Sequence, residues 1–151
     1  MKLSTKGRYT MVALADIALQ PTDKPVPLSD ISERQAISLP YLEQLFVKLR
    51  CADLVASARG PNGGYRLAKP ATEIRIVEVL VAVDETMDAM HKGAGASGGL
   101  SGSRAQSLTN RLWEAFSTHV HVYLHQTRLS DVIENDLAPC QAVPRIVFDG
   151  G

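Results

Sequence analysis

The chain has 151 residues, of which 45% are hydrophobic, and these values predict a globular domain, alone or with an arm, and exclude a disordered or fibrous protein. The formal net charge is +0, but residues 1–75 hold eleven Lys or Arg against seven Asp or Glu, whereas residues 76–151 hold five against nine. The positive charge of the first half favours an anionic partner such as nucleic acid in that half.

The N-terminus is expected to lead directly into a first helix over residues 6–20. This segment lacks the long apolar core and small-residue cleavage site of a signal peptide. Lys2 and Arg8 are candidates for contact with a DNA backbone, although basic termini are more often simply solvated. The residues expected to be buried along the helix are Tyr9, Val12, Ala13 and Ile17, with Met11 and Leu14 as further candidates.

No membrane span is predicted, because no apolar stretch approaches the ~20 residues that a transmembrane helix requires. The chain contains only Cys51 and Cys140, far apart in sequence, which argues against a disulfide framework and fits a reducing compartment. We therefore expect a soluble, cytoplasmic protein. Cys51 is expected to be a small buried residue.

Residues 28–50 are predicted to form two short amphipathic helices joined by a turn, which is typical of a helix-turn-helix. The first helix turns Leu28 and Ile31 toward a core. Ser38 is expected to cap the second helix, and Pro40 falls in its first turn, where a missing N–H does no harm.

The second helix of this pair has two different sides. Its apolar residues repeat with helical spacing and must pack on a core. They are Leu42, Leu45, Phe46 and Leu49. The other side is the candidate DNA-reading face. It carries Tyr41, Glu43, Gln44, Val47 and Lys48.

The polar residues of this face suit the major groove, which an α-helix fits. Gln44 has the chemistry to pair with adenine, and Glu43 to accept from a cytosine amino group. Lys48 and Tyr41 are candidates for phosphate contact. The alternative is that these residues form an ordinary solvated helix face.

The next segment predicts a hairpin, the wing of a winged helix. Residues 54–58 and 65–67 read as short strands, and the turn between them is rich in Gly, Pro and Asn. Arg59, followed by Gly60, lies on a thin finger that suits the narrow, electronegative minor groove. Winged helices also serve as protein-docking modules, which remains the alternative for the segment.

Beyond the wing, a helix over residues 74–83 is expected to close a winged helix-turn-helix domain of residues 1–87. Residues 88–103 are predicted to be a flexible Gly/Ser-rich loop, because they have too little apolar surface to fold alone. A long helix follows over residues 104–127, and residues 128–151 are expected to add a short helix and an irregular tail. The fold class is therefore mainly α with a small β-hairpin.

The long helix has an apolar stripe too large for one small domain to cover. The stripe consists of Leu108, Leu112, Phe116, Val120 and Tyr123, with Trp113 and Leu124 beside it. A second copy of the chain would cover it and give a homodimer with two recognition helices on a palindromic site. The alternative is that the helix folds back on its own winged domain.

Several contiguous segments resemble the IscR-type iron-sulfur cluster regulators of the Rrf2 family. They are residues 1–9, 27–35, 38–46, 59–65 and 82–85. The resemblance implies a dimeric transcription factor, usually a repressor of iron-sulfur assembly genes, in which Tyr41, Glu43 and Gln44 read bases and Arg59 enters the minor groove. The complete set of candidate DNA contacts is Lys2, Arg8, Leu28, Ser38, Pro40, Tyr41, Glu43, Gln44, Lys48, Arg50, Arg59 and Gly60.

The resemblance also implies a [2Fe-2S] cluster held by three cysteines and one histidine between residues 88 and 113. No cysteine occurs there; Ser107 stands at the position of the last cysteine and Asn110 at that of the histidine. Two hypotheses remain open. Either a cluster binds through atypical ligands, with Cys140 and His91 as candidates, or the regulator has no cluster and answers another signal.

Other donors to an atypical site are the histidines of the long helix. They are His119, His121 and His125. We expect that a cluster can still bind, although histidines spaced in this way on a helix are more often solvated. Catalysis is not expected, because Cys51 with any histidine lacks a supporting motif.

Overall fold

The structure is a computed structural model that describes residues 3–21, 24–85 and 103–137. Its elements in chain order are α1 (Thr5–Leu19), α2 (Leu28–Gln35), α3 (Leu39–Cys51), β1 (Val55–Ala58), β2 (Gly64–Leu67), a 3-10 turn (Ala71–Glu73), α4 (Ile76–Ala82), α5 (Arg104–Gln126) and α6 (Leu129–Ile133). They confirm the predicted fold class, a mainly α protein with a small hairpin. The predicted loop of residues 88–103 lies almost entirely outside the described residues, as do Lys2, His91 and Cys140.

The main core is formed by α1 to α4 and the hairpin, which together are called the winged unit here (residues 3–85). Phe46 and Leu14 are the largest of its fully buried side chains. All four apolar residues predicted to pack from the second helix of the pair are buried on α3. α3 is therefore held by its own apolar stripe, and its opposite side is left toward solvent.

The buried side of α1 agrees with the prediction at Ala13, Leu14 and Ile17 and differs from it at Tyr9 and Val12. Tyr9 and Val12 are 38% and 40% exposed. The buried side chains are Thr10, Ala13, Leu14, Asp16 and Ile17. Two polar residues can be buried because each is satisfied: the Thr10 hydroxyl donates to the Lys6 carbonyl at 2.7 Å, and the Asp16 carboxylate accepts from α2.

The wing is a regular antiparallel hairpin, with Val55 opposite Leu67 at its base. Val26, before α2, adds a bridge to its outer strand: the N–H of each of Val26 and Tyr65 donates to the carbonyl of the other at 2.8 Å. The Tyr65 ring lies 4.9 Å from the Phe46 ring, centroid to centroid. The wing is thus joined to the core beneath α3 as well as to the chain that enters α2.

Main-chain bonds anchor the C-terminal end of α5 to the winged unit. The Ile76 N–H donates to the Thr127 carbonyl at 3.0 Å, and the Leu129 N–H donates to the Ile74 carbonyl at 2.9 Å. Leu129, the first residue of α6, is fully buried in the main core. The end of α5 and the start of α6 therefore belong to the folded unit.

Along the rest of α5 the large apolar side chains remain exposed except Val120, which is half-buried, and no residue of this helix is fully buried. Leu124 packs beside Ile76 and Leu80 of α4. The exposed large apolar residues are Leu108, Leu112, Trp113, Phe116, Val122 and Tyr123. Folding back on the winged unit therefore accounts only for the C-terminal end of the helix.

Among the described residues, none of the helices combines the length and apolarity needed to span a bilayer.

Candidate nucleic-acid interface

The turn between α2 and α3 sets the angle of the helix-turn-helix. Ala36 adopts the left-handed conformation, with φ 54° and ψ 42°. The Ile37 N–H donates to the Ser32 carbonyl at 3.2 Å, and the Ser32 hydroxyl donates back to the Ile37 carbonyl at 2.5 Å. This reciprocal pair closes the turn and fixes where α3 begins.

A buried carboxylate on α1 holds the C-terminal end of α2. The Asp16 side chain is only 2% exposed and accepts from the Arg34 guanidinium at 3.0 and 2.6 Å and from the Gln35 amide at 2.8 Å. The hydrogen bonds from Arg34 are the main cause that lowers the pKa of Asp16, against the opposing effect of burial. Asp16 is therefore charged at neutral pH and ties α1 to the helix-turn-helix.

The start of α3 agrees with the prediction at Pro40 and differs from it at Ser38. Pro40 lies in the first turn, as predicted, and Ser38 occupies the N-cap position. The prediction that the Ser38 side chain caps the helix is wrong, since it makes no capping hydrogen bond. A serine at this position caps through the second or third helical N–H; Pro40, the second residue, has none, which leaves only the N–H of Tyr41 as a partner. The Ser38 residue stays exposed.

The outward side of α3 presents four exposed side chains, Glu43, Gln44, Val47 and Lys48, at the positions predicted from the sequence. Tyr41 is half-buried, and its ring packs edge to face against the Tyr9 ring of α1 at 5.9 Å. This contact explains why Tyr9 leaves the core. It also fixes the Tyr41 ring at the N-terminal end of the reading face.

Lys48 is not a free cation at the C-terminal part of this face. Its ammonium lies 2.6 Å from the Asp84 carboxylate, in the turn that follows α4. The hydrogen bond from Lys48 lowers the pKa of Asp84. Arg50, two residues further along α3, is exposed.

At the wing tip, Arg59 and Gly60 are both exposed. Among the described residues Arg59 takes part in no ion pair. Gly60 has a φ of 106°, a conformation that side chains rarely adopt, and nothing lies within 4 Å of the place where its Cβ would be. A guanidinium on a slim, unobstructed finger is the geometry that minor-groove insertion needs.

The remaining candidates lie where α1 and α2 begin. Arg8 is exposed, and its guanidinium donates to the Leu3 carbonyl at 3.4 Å. Leu28 is the first residue of α2 and is half-buried against the core. Lys2 lies outside the described residues, so its place relative to these two is not defined.

Glu85 is a further positioning residue that the sequence did not reveal. It is 9% exposed and accepts from the Ser4 hydroxyl, from the Ser4 N–H at 3.3 Å and from the Gly7 N–H at 2.9 Å, at the start of α1. Burial alone would raise the pKa of Glu85, but these hydrogen bonds outweigh it and lower the pKa. A Cβ on Gly7 would come within 2.6 Å of the Glu85 carboxylate. Gly7 is therefore required for this close approach.

The candidate metal ligands His91 and Cys140 lie outside the described residues. Within residues 3–21, 24–85 and 103–137, no three or more His, Cys, Asp or Glu residues converge as a metal site. Cys51 is exposed, so the expectation that it is buried is wrong. It ends α3 on the side away from the stripe that contains Leu49, which is why it does not reach the core.

Comparison with known proteins agrees with this architecture. The chain matches the Rrf2 family, described as iron-dependent transcriptional regulators, over residues 3–135. It is 66% identical to the HTH-type transcriptional regulator IscR of Cereibacter sphaeroides, over 97% of this chain and 96% of that protein. It is 48% identical to the regulator of the same name from Vibrio atlanticus, over 90% and 77% of the two chains.

Solved structures give the same result. IscR of T. potens is 32% identical with a TM-score of 0.69, covering 95% of this chain and 93% of that one. CymR, the global cysteine regulator of B. subtilis, is 27% identical with a TM-score of 0.71, covering 89% and 98%. The chain is a DNA-binding transcriptional regulator and not an enzyme, and it belongs to the Rrf2 family of iron-dependent transcriptional regulators.

Proposed function

We propose that this chain is a homodimeric repressor that binds a palindromic operator and controls genes of iron-sulfur cluster assembly or iron homeostasis. The proposal rests on one observation: the exposed side of α3 and the cationic wing beside it pack on the same core. The description of its family as iron-dependent transcriptional regulators supports the iron-related targets. Repression is the activity that the family resemblance implies.

The reading residues take separate roles in this proposal. Gln44 and Glu43 face bases in the major groove, because both are exposed and have short side chains that end in hydrogen-bonding groups. Arg59 enters the minor groove from the wing tip. Ser38, Arg50 and Arg8, all exposed, supply contacts to the phosphate backbone around the reading face.

The dimer is proposed from α5. Its exposed apolar side chains include Leu112 at 57% and Phe116 at 45%. A contiguous apolar surface of this kind marks an interaction site, and a two-fold axis along the helix would pair it with itself. Such a dimer presents two copies of α3, so the operator should be a palindrome with half-sites about one helical turn apart, roughly 10 base pairs.

The iron signal is the part in which this chain departs from the ligand set that the family resemblance implies. Clusters take soft thiolate ligands, and the described residues offer only Cys51, which is exposed on α3 and belongs to no group of three or more metal-binding side chains. The described donor set therefore does not fit a cluster. A cluster would need atypical ligands, with Cys140, His91 or the set His119, His121 and His125 as candidates, and the alternative is a cluster-free regulator whose DNA binding answers another signal.

Anaerobic purification separates these two possibilities. Visible absorbance together with iron and sulfide analysis should reveal a cluster if His91 and Cys140 supply ligands, and both single substitutions to Ala should then bleach it. A colourless, iron-free protein with full repression in cells would establish the cluster-free form.

DNA binding itself is tested on the promoter upstream of the chain's own gene, by footprinting and then by fluorescence anisotropy on the protected site. Log affinity should fall linearly with log salt. Gln44→Ala should lose about 1 to 3 kcal/mol of discrimination at one base position. Arg59→Ala should weaken binding most where the minor groove is narrow and A·T-rich.

The matched control for Arg59→Ala is Arg104→Ala, which removes an exposed guanidinium at the start of α5, away from the wing. It should leave the preference for A·T-rich sites unchanged. If Arg59→Ala weakened binding to all sites equally, the minor-groove role would be wrong. If no duplex bound in a salt-dependent way, the wing and α3 would be a protein-docking surface instead.

A further inference from the structure

The contact between Lys48 and Asp84 has a consequence for DNA affinity. We propose that Asp84 holds Lys48 away from DNA phosphates and so lowers the affinity of the protein for DNA. The inference rests on the proposed function, because it concerns how strongly the same α3 surface binds a duplex.

The position of Asp84 is defined by its neighbours and not by Lys48 alone. Asp84 adopts the left-handed conformation, with φ 58°, at the end of α4. The next residue, Glu85, is buried against the start of α1, and its N–H donates to the Leu80 carbonyl at 2.9 Å. The Lys6 ammonium donates to the Asp84 carbonyl at 3.1 Å. The backbone on either side of the Asp84 carboxylate is thus fixed while the side chain points to α3.

The chemistry of the pair makes it a competitor of DNA. A carboxylate and a phosphodiester each carry one negative charge and accept hydrogen bonds from an ammonium group. The Lys48 side chain is 44% exposed and that of Asp84 is 72% exposed, so a phosphate can approach Lys48 without unfolding of the helix. While Asp84 holds the ammonium, Lys48 contributes little counterion release.

The test is Asp84→Asn, which keeps the size of the side chain and tolerates positive φ. It should tighten binding of the dimer to its operator about three- to ten-fold, in line with the usual strength of an exposed ion pair lost in each of two protomers. The slope of log affinity against log salt should become steeper by about 0.9 for each protomer as Lys48 reaches a phosphate. Both are measured by fluorescence anisotropy over a salt series.

The control is Asp53→Asn. Asp53 is also an exposed aspartate with positive φ, 59°, just after α3, and it forms none of the ion pairs found in the described residues. It should leave affinity and slope unchanged, within about two-fold. Thermal melts of each variant verify that the winged unit is folded.

A double-mutant cycle decides whether the effect passes through Lys48. In a Lys48→Ala background, Asp84→Asn should change affinity by less than two-fold, because no ammonium is left to release. An equal gain in that background, or weaker binding by Asp84→Asn in the natural chain, would overturn the proposal. Failure of the proposed function is distinguishable, because the natural chain would then bind no duplex at all.

Discussion

The winged unit and α5 use apolar side chains in opposite ways. The winged unit encloses Phe46, Leu42 and Leu49 completely. On α5, a longer helix with as clear an apolar stripe, Phe116 and Leu112 remain exposed. Both stripes arise from the same helical periodicity, so the pattern itself does not say what covers it.

The difference indicates how the two regions gain their stability. The winged unit is complete within one chain, since α1 to α4, the wing and the start of α6 cover its core. α5 is secured within the chain at its C-terminal end, where Leu124 packs beside Ile76 and Leu80 of α4. The stability of the rest of α5 should therefore depend on protein concentration, as that of a dimer interface does. The stability of the core should not.

The strongest change should come from Phe46→Ala in the core. Phe46 is fully buried and touches the wing through Tyr65, so its removal leaves a cavity beneath the recognition helix. We expect a loss of about 3 to 5 kcal/mol in the free energy of unfolding. Urea denaturation followed by circular dichroism measures it. The loss should be the same at all protein concentrations, and a cost below about 1 kcal/mol would mean that Phe46 does not anchor the core.

The same substitution on α5 should act differently. Phe116→Ala should raise the dimer dissociation constant by about 10- to 100-fold, because an aromatic anchor of the proposed interface is removed from both protomers. Sedimentation equilibrium measures this constant. Val81→Ala, at another exposed apolar residue but on α4, is the control and should leave it unchanged.

An unchanged dissociation constant for Phe116→Ala would remove α5 from the interface. A loss of monomer stability comparable to that of Phe46→Ala would show instead that α5 folds onto its own chain. The pair of phenylalanine variants thus tests the contrast between the two regions directly.

Periodicity predicted the parts of the fold that depend on one segment at a time. The stripe on α3, the hairpin and the extent of α5 all follow from local patterns of apolar, Gly and Pro residues. The reading face was predictable for the same reason, since it is the side opposite Leu42 and Leu49. Local pattern does not determine which of these exposed residues contacts a side chain from elsewhere in the chain.

Residues whose role depends on distant partners were missed or misplaced. Glu85 lies 78 residues from Gly7, and Asp16 lies 18 residues from Arg34, so no window of sequence shows either contact. Tyr9 was expected in the core, but its ring packs on Tyr41. The available signal was a carboxylate, Asp16, that interrupts an apolar stripe and so needs a buried partner.

The smallest expected effect of the three substitutions is at Asp16, whose side chain ties α1 to the helix-turn-helix. Asp16→Asn keeps the shape of the side chain but removes the charge that binds Arg34 and Gln35. We expect it to lower the free energy of unfolding by about 1 to 2 kcal/mol at neutral pH. Asp30→Asn, on the exposed side of α2, is the control and should change it by less than about 0.5 kcal/mol.

The stability difference between the natural chain and Asp16→Asn should also depend on pH, in a direction set by the pKa of Asp16. The pKa of Asp16 is lowered in the folded chain, mainly by the Arg34 hydrogen bonds, so the carboxylate stabilises the fold above the ordinary aspartate pKa of about 3.9. That stabilisation is lost as pH falls through the lowered value in the folded state. The stability difference between the natural chain and Asp16→Asn should be constant above about pH 5 and shrink below about pH 4. A difference that did not change with pH would mean that the charge of Asp16 is not what joins α1 to the helix-turn-helix.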